Sequence, residues 1–577
     1  MSFQGDDFER IVILQNSKQL KKYSKKFSQA NDLILAIGPE SIYFCIKKKL
    51  KYITFRDFVD VDLHYSESKE FEKRLSETIK NLNNYSTKLK PEYDLEIGNY
   101  FSFQLWLILG QISFSFFLLT SLKKKFPNSH ILVFKNKHSS KFFRLRPNPE
   151  SLIPSTLENS NIYNKKNISV ANVSQQISFK QFFEDFFFFA KEIRDILKLL
   201  PHQLFSSSKT KLAIIGGGYD WFKILKNKKF NRKFLISYLN LKPPKNKKGG
   251  FDSKVLEILN DSFFKSGNIH FDLSELSDDI NNYLEHFFKR RNFLNELIKK
   301  QEVLLSGVLT WPEENFLAHL GIQNNKRVIL WQHGERGQSY DPSIEFTEML
   351  YATDFLTYGK SVTKIYKKWL NKYYLKNVQT LGSLSKQSFW KKNESKKILY
   401  ATGKWHKNAV PYLNVIDPDK RLIDAHLSLL TFLNDIEGWE TTFKLNNTKE
   451  LNNIPYKDNF KKIKFESKIS FTRLLENSEL VILDTPSTTL IEACSTSIPI
   501  FALSGRNVYS REFLKKVSSR VVWCESTEEL ISRLNYYLNN RHYDADLLDN
   551  SFVNSYFYLN SESSIVEEVT NLIENKI

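Results

Sequence analysis

Leu480-Val-Ile-Leu-Asp-Thr-Pro-Ser-Thr-Thr-Leu-Ile-Glu-Ala-Cys494 is the stretch on which the interpretation of the whole chain depends. Its first four residues are an apolar run that predicts a buried strand, followed by a turn rich in hydroxyl groups. A helix is predicted to begin near Ser487 or Thr488 and to carry Glu492 on its second turn. The first amides of a helix lack partners, and the helix dipole favours negative charge there. The stretch therefore predicts a phosphate seat at a strand-to-helix corner, where ligands bind in open α/β sheets.

The composition indicates a soluble globular protein with more than one domain. The chain has 577 residues, which is too long for a single ordinary core. Hydrophobic residues make up 41% and charged residues 26%, which excludes global disorder. The formal net charge of +20 indicates an anionic partner, unless it only reflects a chain rich in Lys and Asn. The lysines are spread out and no zinc-finger, RRM or KH signature is present, so nucleic acid is not expected as a partner.

The spacing of the cysteines and the composition of the first residues indicate the cellular compartment in which the protein is expected. Cys45, Cys494 and Cys524 lie far apart, without a CxxC pair or a histidine at metal-ligand spacing. They predict buried thiols in a reducing compartment and no metal site. The first ten residues are acidic and polar, unlike a secretory signal, so a cytoplasmic protein is expected. The apolar stretch 100–122 is long enough to cross a bilayer, but its Gln and Ser residues favour a buried core helix.

The first part of the chain alternates between apolar runs and helical stretches. This alternation is typical of a parallel sheet with right-handed crossovers, as in a Rossmann-like layer. The polar stretch 135–176 has weak periodicity and predicts a loop or insertion, and an aromatic run at 182–189 begins an apolar helix. The predicted strands are at 11–14, 32–37, 51–54 and 130–134.

The middle of the chain offers a second candidate group of functional residues. An apolar strand at 328–331 delivers Gln332, His333 and Gly334 to its carboxyl end, with Glu335 next. A histidine at such a position in a cleft is a candidate acid, base or phosphate contact, although a lone histidine is often only structural. A second α/β series follows from residue 397, so the sequence predicts domains at 1–370, with an insertion around 135–210, and at 371–577.

These residues resemble a known family. The strand-end His333-Gly334, the turn Asp484-Thr-Pro-Ser-Thr-Thr and the following Ser497-Ile-Pro-Ile-Phe501 are similar to GT-B glycosyltransferases of bacterial surface polysaccharide synthesis. The similar transferases include the group that contains the CDP-glycerol glycerophosphotransferases. It implies an α/β fold of two Rossmann-like domains facing a cleft, with the acceptor side N-terminal and the nucleotide donor side C-terminal. It also leaves open that the last helix packs back on the N-terminal domain.

The resemblance also implies roles for residues on both sides of that cleft. Carboxylates accept strong hydrogen bonds from hydroxyl groups, so an acidic side chain is well suited to bind the hydroxyls of a ribose. The structural alternative for Thr485 and Ser487 is an ordinary N-cap. On the catalytic side the resemblance implies His333 as base or phosphate partner, with Glu335 as a further candidate. On the donor side it implies contacts from Lys404, Thr485, Ser487, Thr488, Thr489 and Glu492.

The expected function is the transfer of a sugar from a nucleotide-activated donor to a surface glycan. The alternatives are a polyol-phosphate transferase of the CDP-glycerol type, a nucleotide-sugar 2-epimerase, and a non-enzymatic basic binding protein. The expected partners are a nucleotide-sugar donor and a glycan or lipid-linked acceptor, with no cofactor and no metal. A cytoplasmic location is expected, with peripheral contact at the inner face of the membrane kept as an option.

Overall fold

A computed structural model gives the structure of the protein. It describes most of the chain. The described residues are 8–26, 28, 31–136, 142–143, 146–147, 149–159, 162–173, 210–217, 220–244, 253–264, 271–334, 344–384, 395–403, 418–445, 454–504, 509–558 and 560–574.

The first sheet is five-stranded and entirely parallel, in the order β3-β2-β1-β4-β7. Its strands β1 and β2 are almost completely buried, as expected for the centre of a parallel sheet. The strands of this region are β1 (Arg10–Leu14), β2 (Asp32–Ala36), β3 (Tyr52–Ile53), β4 (His130–Asn136), the hairpin β5 (Phe142–Phe143) and β6 (Arg146–Pro147), and β7 (Ile168–Val173). The helices are α1 (Ser17–Lys26), α2 (Pro39–Lys48), α3 (Val61–Leu89), α4 (Ile97–Tyr100), α5 (Ser102–Lys125) and α6 (Pro149–Asn159).

One prediction for this region is wrong. The stretch 135–176 was predicted as a loop or insertion, but it contains α6 and β7, and β7 completes the first sheet beside β4. The polar composition hid the strand because β7 is an edge strand with only Ala171 and Val173 buried. The helix carries Pro154 in its interior, which a sequence pattern treats as a breaker. The predicted helix at 182–189 lies outside the described residues.

The long apolar helix α5 is a core helix. It is long and apolar enough to cross a membrane by length and composition, but 78% of its most apolar window is buried inside the protein. Leu105, Ile108, Leu109 and Ile112 pack into the largest hydrophobic cluster of the molecule. The predicted preference for a buried helix is therefore confirmed.

The middle sheet is six-stranded and parallel, in the order β9-β8-β10-β11-β12-β13. The strand order reverses between β8 and β10, so the turns after these strands open a crevice at the carboxyl edge. The strands are β8 (Thr210–Ile215), β9 (Phe234–Leu239), β10 (Val303–Ser306), β11 (Arg327–Trp331), β12 (Asp354–Thr357) and β13 (Asn377–Thr380). The helices are α7 (Trp221–Ile224), α8 (Lys228–Lys233), α9 (Lys254–Phe264), α10 (Ser274–Lys299), α11 (Pro312–Gln323) and α12 (Lys360–Tyr366).

The third sheet is six-stranded and parallel, in the order β16-β15-β14-β17-β18-β19. This is the Rossmann strand order, with its reversal between β14 and β17. The strands are β14 (Lys397–Ala401), β15 (Glu440–Lys444), β16 (Ile463–Glu466), β17 (Leu480–Leu483), β18 (Ile500–Leu503) and β19 (Val522–Cys524). The helices are α13 (Pro418–Asp435), α14 (Phe471–Leu475), α15 (Thr488–Cys494), α16 (Arg511–Val517), α17 (Thr527–Asn540), α18 (Ser551–Tyr556) and α19 (Glu562–Ile573).

The α/β class with Rossmann-like sheets is confirmed by this topology. The region before β14 holds two parallel sheets, where the sequence predicted a single domain with an insertion, and the predicted limits at 370 and 371 stay a prediction. After α17 the chain returns to the middle sheet. A side chain at Gly359 would lie 2.3 Å from the Tyr556 backbone, and Ser383 N–H donates to Tyr558 O at 2.9 Å. In α19, Leu572 O accepts from Arg327 Nη1 at 2.6 Å.

Candidate functional site

A buried carboxylate stands at the reversal point of the third sheet. Asp484 follows β17 directly and is only 1% exposed. Its Oδ1 accepts from Gly403 N–H at 2.8 Å, and its Oδ2 accepts from the Tyr400 hydroxyl at 3.0 Å. His426 Nε2, on α13, lies 2.8 Å from the same Oδ2. Asp484 therefore joins β17 to the end of β14 and to the helix that follows it.

The network keeps Asp484 ionised. Burial pushes the pKa of this carboxyl up, but the hydrogen bond and charge of His426, with bonds from Thr402 and Gly403, outweigh it, so the pKa is lowered. Burial, and then the nearby Asp484 charge, raise the pKa of Tyr400 well above its ordinary value. His426 also contacts the Tyr456 hydroxyl through Nδ1 and is fully buried. This group fixes the shape of the corner.

The hydroxyl turn after Asp484 divides into a packed part and an open part. Thr485 is 7% exposed, and a side chain on Gly403 would lie 2.3 Å from Thr485 Oγ1, so this hydroxyl is packed against the turn after β14. Ser487 occupies the N-cap position of α15, but its side chain makes no capping hydrogen bond. The structural alternative, in which this hydroxyl serves only to cap the helix, is therefore not supported at Ser487. Its Oγ lies 3.5 Å from Thr489 Oγ1, and Thr488 is exposed. Ser487, Thr488 and Thr489 are thus the more accessible hydroxyls.

The turn after β11 reaches this corner from the middle sheet. Gly334 has a φ of +67°, and a Cβ at this position would lie 3.4 Å from Thr488 Oγ1. The turn is held by Gln332, whose Nε2 donates to Gly334 O at 3.0 Å and whose Oε1 accepts from Tyr358 N–H at 2.8 Å. His333, between them, is exposed. The two predicted groups of residues, more than a hundred positions apart in sequence, therefore meet at one corner, with the turn after β11 as one wall and the start of α15 as the other.

Glu492 connects the same two walls electrostatically. The partly exposed carboxylate accepts from Thr472 Oγ1 at 2.9 Å. Burial raises its pKa, while the Thr472 hydrogen bond and the charge of Lys223 act in the opposite direction. Lys223 is on α7, after the first strand of the middle sheet, and pairs with Asp220 at 2.5 Å. Glu492 on α15 thus lies within electrostatic reach of the wall opposite.

Asp220 and Tyr358 stiffen the wall of the middle sheet. The Tyr358 hydroxyl donates to the buried Asp220 carboxylate. Burial and this carboxylate raise the pKa of Tyr358 well above its ordinary value, with a backbone contact to Gly334 acting against them. The residues after β8, β11 and β12 are thereby tied together at the carboxyl edge.

The structure accounts for most but not all of the predicted site residues. His333, Thr485, Ser487, Thr488, Thr489 and Glu492 lie around the corner between the middle and third sheets. Glu335 and Lys404 lie outside the described residues. Sequence reasoning missed Lys223, Thr472 and His426. The one available signal is the run Gly216-Gly-Gly218 shortly before Lys223, because glycines allow a close backbone approach.

Comparison with known proteins identifies a family. A family model described as LIC12162 family transferase matches residues 155–512, more than half of the chain. The match runs from α6, within the first sheet, through the middle sheet and into α16 of the third. A search of curated proteins finds no match.

Solved structures resemble the chain weakly. A mutant of S. aureus TarM in complex with fondaparinux, alpha-GlcNAc-glycerol and UDP is 14% identical, with a TM-score of 0.34 over 49% of this chain and 57% of that chain. The pneumococcal O-GlcNAc transferase GtfA in complex with UDP and GlcNAc is 11% identical, with a TM-score of 0.33 over 49% and 59%. A putative UDP-N-acetylglucosamine 2-epimerase from Listeria monocytogenes is 13% identical, with a TM-score of 0.40 over 64% and 96%. The chain thus spans little more than half of the length of TarM and GtfA.

Proposed function

Because the chain belongs to the LIC12162 family of transferases, we propose that it moves a sugar from a nucleotide-activated donor to a surface glycan acceptor. One observation carries the proposal: the Gly334 turn of the middle sheet comes within contact distance of Thr488 on α15. Both turns follow parallel strands at their carboxyl ends, where ligands of α/β folds bind. A cleft between two such edges can hold a donor on one wall and an acceptor on the other.

The third sheet supplies the proposed donor wall. The accessible hydroxyls of Ser487, Thr488 and Thr489 are donors for phosphate oxygens, and Thr485 supports the turn from behind. Glu492 accepts two hydroxyl hydrogen bonds from a ribose, taking the place of its present contact with Thr472. Lys404, which follows β14 in the sequence, is the proposed positive charge for the departing phosphate.

The middle sheet supplies the proposed catalytic wall. Transfer requires a base that removes the proton from the acceptor hydroxyl as the bond to the anomeric carbon forms. His333 is the proposed base, because it is exposed at the end of β11 while Gln332 and Gly334 fix the backbone on either side. Glu335 is the second candidate for the same task.

A donor screen followed by a transfer assay tests this function. UDP-, CDP-, CMP- and GDP-linked donors are compared by thermal shift, and at least one is expected to raise the melting temperature of the wild-type protein. Glu492→Gln should remove this shift, whereas Glu476→Gln, a change outside the cleft residues, should retain it. A shift that survives in Glu492→Gln, or no shift with any donor, contradicts the donor site.

The products then separate sugar transfer from its alternatives. Transfer requires an acceptor glycan and releases the nucleotide, while a 2-epimerase converts the donor alone, which an NMR time course detects. Release of CMP from CDP-glycerol identifies polyol-phosphate transfer. Salt-dependent retention on DNA without any nucleotide effect identifies a non-enzymatic basic binding protein.

The proposed location is the cytoplasm, with a peripheral contact at the inner face of the membrane. Free buried thiols at Cys45, Cys494 and Cys524 support a reducing compartment. The net charge of +20 would favour an anionic lipid surface that presents a lipid-linked acceptor. Flotation with anionic vesicles, compared with neutral vesicles, tests the contact.

A further inference from the structure

A cavity lies on the α13 and α17 side of the third sheet, towards the first sheet. Its volume is about 250 Å³. Arg56, just past the carboxyl end of β3, reaches it from the first sheet, and Arg421 and Asp424 of α13 line it from the third. The residues before and at the start of α17, Glu525 to Glu528, complete the wall. The carboxyl edges of two parallel sheets thus meet here, as they do in the cleft at Gly334.

This cavity is separate from the proposed donor cleft. Its lining includes Asp484 and Thr485, which form a shared partition, but neither Glu492 nor any other residue of α15. α13 and α17 pack in a different hydrophobic cluster from α15, which lies with the middle sheet. The cavity also depends on Arg56, and most of the first sheet precedes the part of the chain that the family model matches.

Two cations are held together in this cavity. Burial, and then repulsion from Arg56, lower the pKa of Arg421, while the charge of Glu525 opposes the shift. Across the described ranges, no salt bridge or side-chain hydrogen bond joins either guanidinium to another residue. A like-charge pair at the meeting of two sheets is the arrangement that a bound anion would relieve.

Some of the other polar and charged groups of the lining already have partners within the protein, and the rest face the two arginines. Asp484 is engaged by His426, and Asp424 pairs with Lys420 at 2.5 Å. Ser526 Oγ caps α17 by accepting from Glu529 N–H at 3.1 Å. Glu525, Glu528 and the hydroxyl of Thr527 remain as neighbours of the two arginines. A ligand that fits must therefore present an anionic group to the arginines and hydroxyl groups to the carboxylates.

We propose that this cavity binds a monosaccharide-sized ligand whose oxyanion, a phosphate or a carboxylate, lies between Arg56 and Arg421. Guanidinium groups bind either oxyanion through two parallel hydrogen bonds, and carboxylates accept from sugar hydroxyls. The volume is below the roughly 300 Å³ at which sites for drug-sized ligands begin, so a single sugar unit fits better than a dinucleotide. This site does not rest on the proposed transfer reaction.

Calorimetry on the full chain tests the second site with four probes: glucose 1-phosphate, glucuronic acid, glucose and inorganic phosphate. At least one of the two anionic sugars is expected to bind the wild-type protein, and glucose is not. Arg56→Gln and Arg421→Gln should each weaken this binding at least tenfold. Arg533→Gln, on the same helix as the cavity wall but paired with Glu529 at 3.0 Å, should leave it unchanged. The preferred anionic sugar distinguishes phosphate from carboxylate.

Further variants keep the two hypotheses apart. Arg56→Lys retains a charge and should restore part of the affinity, which excludes a folding defect as the cause of the loss. Glu492→Gln should leave binding of the anionic sugar intact, so failure of the donor site does not remove this one. Failure of both anionic sugars to bind, or equal affinity in the wild type and both glutamine variants, overturns the proposal.

Discussion

Asp484 and Glu492 lie only eight residues apart, one directly after β17 and the other in α15, yet their surroundings differ. Asp484 is buried among His426, Tyr400 and Gly403, and its pKa is lowered. Glu492 is partly exposed, has Thr472 as its hydrogen-bond partner, and its pKa is raised by burial. A carboxylate whose acceptor capacity is used within the protein serves structure. One that stays accessible beside a cleft is available to a ligand.

The largest expected effect is on folding, from Asp484→Asn. The change removes the negative charge from a buried group that His426 contacts, so the free energy of unfolding should fall by about 3 kcal/mol. Urea denaturation measures it. Asp424→Asn breaks a partly exposed pair with Lys420 in the same domain and should cost less than about 1 kcal/mol. Equal losses in the two variants would show that burial of Asp484 does not matter.

The next effect is on ligand affinity, from Glu492→Gln. The amide has one acceptor in place of the carboxylate's two, and the charged hydrogen bonds to a ribose are lost. Donor affinity should fall about tenfold to a hundredfold, equivalent to roughly 1.4–3 kcal/mol. Calorimetry measures it, and urea denaturation should show little change in stability. If Glu492→Gln lost stability but bound the donor normally, Glu492 would be a structural residue, as Asp484 is.

A smaller effect is expected from Gly334→Ala. Alanine at a φ of +67° should cost roughly 1–2 kcal/mol of stability, and its Cβ would lie 3.4 Å from Thr488 Oγ1. Gly438→Ala is the matched control, because Gly438 has a φ of +75° with nothing within 4 Å of the added carbon. Both variants should lose similar stability, but only Gly334→Ala should weaken donor binding. Loss of donor affinity in both variants would show that the effect is not specific to Gly334 and that its turn does not belong to the donor site.

The smallest effect is the pH dependence of stability, which should have opposite signs at the two carboxylates. The lowered pKa of Asp484 means that its stabilisation is present above the ordinary value of 3.8 and is lost as pH falls. The raised pKa of Glu492 means that stability decreases as pH rises from the ordinary value of 4.5 through the folded one. Unfolding free energies of wild type and both variants, measured from pH 3 to 7, test this. If stability changed with pH in the same direction at both positions, the distinction between a structural Asp484 and a ligand-binding Glu492 would be wrong.

Sequence reasoning found the parts of this corner that depend on local chemistry. The apolar run at 480–483 must be buried, and a strand that ends in a polar turn before a helical pattern can hardly be anything else. The same holds for 328–331, so both walls of the candidate site were predicted as strand ends. These strand ends belong to different sheets, so their proximity followed only from the resemblance, rather than from any signal at Gly334 or Thr488.

The remaining features depend on partners that no local pattern reveals. His426 is 58 positions from Asp484, in a helix whose other residues are ordinary core and surface types. Lys223 is on a short helix far from Glu492 in sequence, so its charge there was not predictable. The first sheet was only partly recognised, because the edge strand β7 has only two buried side chains and its polar sequence looks like a loop.

The return of the chain over Gly359 and Ser383 has a consequence for protein synthesis. Ile565, Val569 and Leu572 of α19 are buried in the same cluster as the strands of the middle sheet. That sheet is therefore completed only after α19 has left the ribosome, although its own strands are made well before those of the third sheet. A nascent chain arrested after α17 would expose this apolar surface and engage chaperones, while the third sheet would already have all of its strands.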